Sequence, residues 1–95
     1  SKGVLRVELY AHEIVHCDRQ GLFPDRWWDL YMTDPKFRLE EEILAHRAEY
    51  RKYVERHANR LKRERALDMI AGKLASPLYG SLISLDQARK ELVVR

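Results

Sequence analysis

The stretch VELYAHEIVHCDRQ, residues 7–20, contains neither glycine nor proline, and its apolar members Val7, Tyr10, Ala11, Ile14 and Val15 recur at helical spacing. It predicts a helix with that apolar stripe turned toward a core. Gly21 is placed to stop it, and Arg19 lies where a cation suits the negative end of the helix dipole. Ahead of it, residues 4–7 have length for a terminal strand or a first helical turn only. Downstream, Pro24 and Asp25 open a second short helix reaching Tyr31 or Met32, since proline is tolerated and an acid favoured in a first turn. Trp27 and Trp28 leave that helix in adjacent directions, so at least one faces the core. Thr33 or Asp34 then caps a third helix that runs without a breaker from Pro35 to about Leu61, or to Leu74 with a bend near residues 57–59.

Residues 75–81 read as a turn-rich connector. Ser84 followed by Gln87 is a capping-box pattern that starts a last helix through Leu92. The expectation is an all-α or mostly α domain of four to five helices, with at most a short N-terminal strand, occupying residues 1–95 as one unit. The 95-residue length fits a single hydrophobic core. With 45% hydrophobic and 35% charged residues, four glycines and three prolines, the composition argues against a disordered tail, a collagen repeat or a glycine-rich nucleotide cradle. Cys17 is the lone cysteine and forms no internal disulfide, and no apolar run approaches the roughly 20 residues that span a bilayer. A cytoplasmic location is the expectation.

The net charge of +3 conceals an asymmetry. Residues 47–65 hold Arg47, Arg51, Lys52, Arg56, Arg60, Lys62, Arg63 and Arg65 against Glu49, Glu55 and Glu64, a local +5. Such a stripe suits nucleic acid or an acidic protein surface, with Arg51, Lys52, Arg56, Arg60, Lys62 and Arg63 as the partner-binding candidates. A solvated helix face laced with charge pairs is the plainer reading.

Within the first helix lies His12-Glu13-Ile14-Val15-His16, an HExxH pattern. Residues four apart share a helix face, so both imidazoles can converge on one metal ion. Glu13 is rotated about 100° from His12 and reaches beside the ion, where a carboxylate can take a proton from an attacking water. Zn2+ suits imidazole ligands and lowers the pKa of water toward 7. A working site needs a third ligand from a separate element, and the best supply is Glu40, Glu41 and Glu42 in the third helix, a short rotation of which would exchange them.

HEIVH followed by Glu42-Ile43-Leu44-Ala45-His46 resembles the gluzincin branch of zinc metallopeptidases, in which a second helix contributes a Glu within an ExxA pattern. The chain also resembles small predicted metallopeptidases of bacterial and phage genomes, including its Ser76-Pro77-Leu78-Tyr79-Gly80 segment. The resemblance implies peptide-bond hydrolysis, with His12, His16 and Glu42 as zinc ligands and Glu13 as general base. His46 stands where the family places an acid that supports a ligand, and is a supporting donor, a competing ligand or a core histidine. The family's extended substrate would lie along residues 4–7, the loop at residues 77–84, or a partner chain, so an oligomer or larger assembly is one expectation.

Asp18 and Asp29 are candidates to accept a ring N–H from a ligand histidine. Tyr79 is a candidate oxyanion stabiliser. Phe23, Trp27, Trp28, Tyr31 and Phe37 read as an aromatic packing cluster between the two ligand-bearing helices, and Leu39, Ile43, Tyr50, Tyr53 or Val54, and Leu61 as core positions of the third. Cys17, about 100° round from His16, reads as a small buried hydrophobe, and His57 as a solvated or capping residue. The competing functional class is a non-catalytic, metal-stabilised binding module that uses the basic stripe.

Overall fold

Helix formation follows the breakers closely. Five α-helices succeed one another, α1 (Lys2–Gln20), α2 (Pro24–Thr33), α3 (Pro35–Arg56), α4 (Arg60–Leu74) and α5 (Leu85–Val93), with one 3-10 turn at Pro77–Tyr79. These come from a computed structural model that describes the backbone of residues 2–93 and the side chains of residues 7–93. The fold is all-α, and the described residues include no strand. Residues 4–7 belong to α1, as the helical-turn alternative has it, and not to a strand. No described helix is long and apolar enough to cross a membrane.

The helix ends have identifiable causes. Gly21 takes φ +58°, a left-handed conformation that few side chains tolerate, and so ends α1. Asp34 caps α3 by accepting hydrogen bonds from the amides of Lys36 at 3.0 Å and Phe37 at 3.1 Å. The third helix does not run on to Leu61. It stops at Arg56, where His57 turns extended, and Asn59 caps a new helix through the amide of Lys62 at 3.1 Å. Arg63 reaches back to donate to the carbonyls of Val54 at 2.9 Å and His57 at 2.5 Å, satisfying the open end of α3. His57 itself stacks on Tyr53 with ring centroids 3.9 Å apart, a capping role in keeping with its position. At the last helix, Ser84 Oγ accepts the amide of Gln87 at 3.1 Å, as the capping pattern predicts.

The central element is α3, which presents two different faces. Its apolar face, with Leu39 and Ile43, joins Leu67, Ile70, Ala71, Leu74, Tyr79, Ala88 and Leu92 in the hydrophobic core, and Tyr50 packs on its edge. Arg89 ties α5 to α4 through Glu64, at 3.2 Å, and Asp68. The other face of α3 carries Glu41, Glu42 and His46, all buried, and packs against α1 and α2. On α1 the expected apolar stripe turns inward only in part, with Val7, Ala11 and Val15 half-buried. Tyr10 is 69% exposed and Ile14 40%, whereas the buried α1 side chains among those described are Glu8 and His12. Leu61 is likewise exposed, because the break at residues 57–59 resets the helical phase. Cys17 lies on the exposed side of α1.

Removing side-chain volume tests which face carries the apolar core. Leu74 is fully buried, so Leu74→Ala should lower the unfolding free energy by about 2–5 kcal/mol. Leu61→Ala should stay within about 0.5 kcal/mol of the parent in the same urea titration.

Candidate metal centre

Antiparallel packing of α1 on α3 stacks their polar residues in successive rungs. Arg56 Nε faces Glu8 Oε1 at 3.8 Å, His12 Nδ1 meets Glu49 Oε1 at 3.0 Å, His16 Nε2 meets Glu42 Oε1 at 3.1 Å, and Arg19 grips Glu41. The spacing explains this. His12 and His16 lie one turn apart on α1, while Glu42, His46 and Glu49 fall at i, i+4 and i+7 on one face of α3.

At the middle of this seam His12 Nε2, His16 Nε2 and Glu42 Oε1 form a nearly equilateral triangle. Its edges are 3.1 Å between the two nitrogens, 3.1 Å from His16 to Glu42 and 3.2 Å from His12 to Glu42. Ligands about 2.0 Å from a tetrahedral ion stand roughly 3.3 Å apart, so these donors have the spacing such an ion requires. Glu42 offers one oxygen to this triangle, and its other oxygen is held by the Tyr31 hydroxyl at 2.5 Å. His12 is oriented by Glu49 through the opposite ring nitrogen, the kind of outer contact that sets a ligand histidine's tautomer. His46 lies beside them, and the buried group of His12, Glu42 and His46 can hold a metal ion.

The three consecutive glutamates, alternatives in the sequence, have separate fates. Glu40 faces solvent. Glu41 is 2% exposed and receives Arg19, at 2.9 to 3.2 Å, and the Trp27 indole N–H, at 2.8 Å. Only Glu42 reaches the histidines. Its position is set by α2, where Trp27 and Tyr31 stack with centroids 4.9 Å apart and place one donor on each of the adjacent acids. The aromatic cluster forms around Trp27 with Trp28, Tyr31 and Phe37, but Phe23 is 73% exposed and stands outside it.

A cleft of about 230 Å³ opens onto the triangle, lined by His12, Glu13, His16, Gln20, Trp27, Trp28, Tyr31 and Glu42. Its volume admits several waters at about 30 Å³ each, enough for a water and one substrate functional group. Glu13 is solvent-exposed in this cleft, next to His12 and His16 as its place in the motif predicts. Asp18 and Asp29 are exposed and make no hydrogen bond to His12 or His16 among the described contacts; it is Glu49 that meets the Nδ1 atoms of His12 and His46. Glu49 reads as one of the acids of the basic stripe in the sequence, and the signal that identifies it is its i+7 relation to Glu42. Tyr79 is buried beside His46, with ring centroids 6.4 Å apart, and is not among the residues that line the cleft. The phenol that does border the cleft is Tyr31.

The basic stripe is divided between α3 and α4 by the break at residues 57–59. Lys52 pairs with Glu55 at 3.4 Å, Arg56 faces Glu8, and Arg63 serves the end of α3. Arg51 and Arg60 line a groove of about 870 Å³ between α3, α4 and α5, while Lys62 is exposed. The six residues therefore do not share one continuous helix face.

No protein-family model matches the chain, and neither the curated proteins nor the solved structures compared with it gave a match.

Without a metal the site holds a proton in its place. Burial pulls the His12 pKa down, but hydrogen bonds to Glu42 and Glu49 and the charges of both overcome it and raise the pKa from 6.5 to about 9. For Glu49 burial works upward, and hydrogen bonds from His12 and His46 with their charges bring it from 4.5 to about 2. Glu42 is held well below the usual carboxylate range by His12, His16 and Tyr31 despite its burial. The stability contributed by protonated His12 is complete below pH 6.5 and is lost as pH rises through about 9. That contributed by Glu49 is complete above pH 4.5 and lost as pH falls through about 2. In chelator, thermal midpoints should therefore be highest between pH 4.5 and 6.5 and decline toward pH 9, with His12→Gln flattening the alkaline limb. A parent profile that does not decline between pH 6.5 and 9 would contradict the assignment.

Proposed function

We propose that this protein is a zinc-dependent hydrolase of peptide bonds, with a gluzincin-like centre formed by His12, His16 and Glu42. The observation that carries the reading is the triangle of donor atoms, 3.1 to 3.2 Å on each edge, opening on a cleft that Glu13 also lines. Two imidazoles and a carboxylate form a donor set that suits zinc. When bound, zinc supplies Lewis acidity, lowering the pKa of water toward about 7 and polarising a carbonyl.

The chain's own residues supply the rest. Glu49 keeps the His12 Nδ1 protonated, so Nε2 is the nitrogen presented to the ion. Tyr31 occupies one oxygen of Glu42 and so directs the other inward. Glu13, exposed in the cleft, accepts a proton from the attacking water on its carboxylate and returns it to the leaving amine nitrogen. Trp28, 48% exposed, supplies an apolar wall against which a substrate side chain can rest.

Elemental analysis of purified protein should find one zinc per chain, abolished in His12→Ala. Glu13→Gln should keep the zinc and lower peptide cleavage by about 10²-fold or more. A parent protein that takes up no zinc, or a zinc-loaded Glu13→Gln variant that cleaves as fast as the parent, refutes this function.

A further inference from the structure

The break at residues 57–59 shapes a second concave region, which shares no lining residue with the metal-centre cleft. The chain leaves α3 at Arg56 and enters α4 at Arg60, and α5, nine residues long, ends at Val93. Between these three helices lies the groove of about 870 Å³. Ligand sites run to about 300–1,000 Å³, so this one has room for several side chains of a partner. Its apolar lining comes from Tyr50 and Val54, one turn apart on α3, and from Leu92 and Val93 on α5. Tyr50 and Val54 are half-buried and Val93 is 52% exposed, so among the described residues this apolar surface is open to solvent.

The rim of the groove is charged, and its charges do not balance. Glu55 pairs with Lys52 at 3.4 Å and Glu64 with Arg89 at 3.2 Å, so each rim acid already has a cation that lies outside the lining. Two of the rim cations lack the equivalent. Arg60 is exposed, and the described contacts give it no carboxylate. Arg63 donates to the carbonyls of Val54 and His57, which leave its charge in place. Both belong to the first turn of α4, which contains no acid and lies at the positive end of the helix dipole, where a cation is disfavoured and an anion favoured.

We propose that this groove docks an acidic amphipathic segment of a partner protein, with its apolar side chains on Tyr50, Val54 and Val93 and its carboxylates toward Arg60 and Arg63. Charge complementarity selects the occupant. The rim acids Glu55 and Glu64 oppose the continuous phosphate charge of a nucleic acid, whereas a peptide carries its carboxylates singly and has apolar side chains for the aliphatic surface between them. Docking at this groove is independent of zinc and of the reaction proposed at the cleft.

The probe is a fluorescein-labelled peptide with leucines at helical spacing and glutamates between them, titrated into the full chain and followed by fluorescence anisotropy. Its counterpart with lysine for glutamate and a single-stranded oligonucleotide of similar length should each bind at least about 10-fold more weakly. The acidic peptide should move the amide resonances of residues 50–55, 60–64 and 92–93 and leave those of His12 and His16 in place. Arg60→Glu should weaken it about 5-fold or more, by a margin that added salt narrows. The same substitution puts an acid in the first turn of α4, so the thermal midpoint should hold or rise, which separates lost docking from lost folding. No saturable binding of the acidic peptide, tighter binding of the oligonucleotide, undiminished binding by Arg60→Glu, or resonance shifts confined to the cleft each overturns the assignment, and none of these outcomes bears on the metal centre.

Discussion

The hydrogen-bonded seam between α1 and α3 is the constraint on which the rest of the structure depends. Helix pairs usually align by interlocking apolar ridges, but here the buried side chains that α1 presents to its neighbour are Glu8 and His12. Three rungs are hydrogen-bonded, His12 with Glu49, His16 with Glu42 and Arg19 with Glu41, and at the fourth Arg56 faces Glu8 as a longer ion pair at 3.8 Å. Slipping one helix by a turn, about 5.4 Å, would break every rung together. Such a seam gains little net stability from its charges, since desolvation offsets most of the attraction, but it penalises the wrong alignment heavily. Register is what the seam specifies, and register is what a multi-ligand site requires.

The second helix makes that seam selective among near-identical acids. Glu41 and Glu42 point about 100° apart on α3, and the stacked pair Trp27 and Tyr31 supplies one N–H and one O–H to the two directions. Arg19 completes the neutralisation of Glu41, which then serves as a joint of all three helices while Glu42 is left to the histidines. The aromatic residues thus do more than fill space. They decide which carboxylate becomes the acid of the site and hold one of its oxygens fixed.

Much of this was legible in the sequence, and the parts that were not share a cause. Glycine, proline and capping residues act locally, so Gly21, Asp34 and Ser84 marked helix ends in the right places. His12 and His16 share a face because they lie four apart on one helix, whereas the selection of Glu42 among three adjacent acids follows from packing against α1 and α2. The errors arose where tertiary pairing overrides local pattern. The stripe through Tyr10 and Ile14 looked like the inward face, yet α1 turns its histidines to α3 because carboxylates await them there. Glu49 was hidden in a run of basic residues, and its function follows from pairing with a helix far away in the chain. The break after Arg56 depends on Arg63 folding back onto the carbonyls of Val54 and His57, a contact that no propensity scale contains.

The two-faced character of α3 divides the molecule into regions held by different forces. Among the described residues the apolar cluster draws on α3, α4, α5 and the 3-10 turn, and α1 contributes nothing to it. Between α1 and α2 runs only the short segment of Gly21, Leu22 and Phe23, with Leu22 90% and Phe23 73% exposed. Parting α1 from α3 would expose the polar seam and leave the residues of the apolar cluster in contact with one another. Amide protection along α1 would therefore respond to changes in the seam, and protection in α4 to changes in the apolar cluster. The two faces of α3 thus answer to different perturbations, one to the protonation of His12 and Glu49 and the other to lost apolar volume.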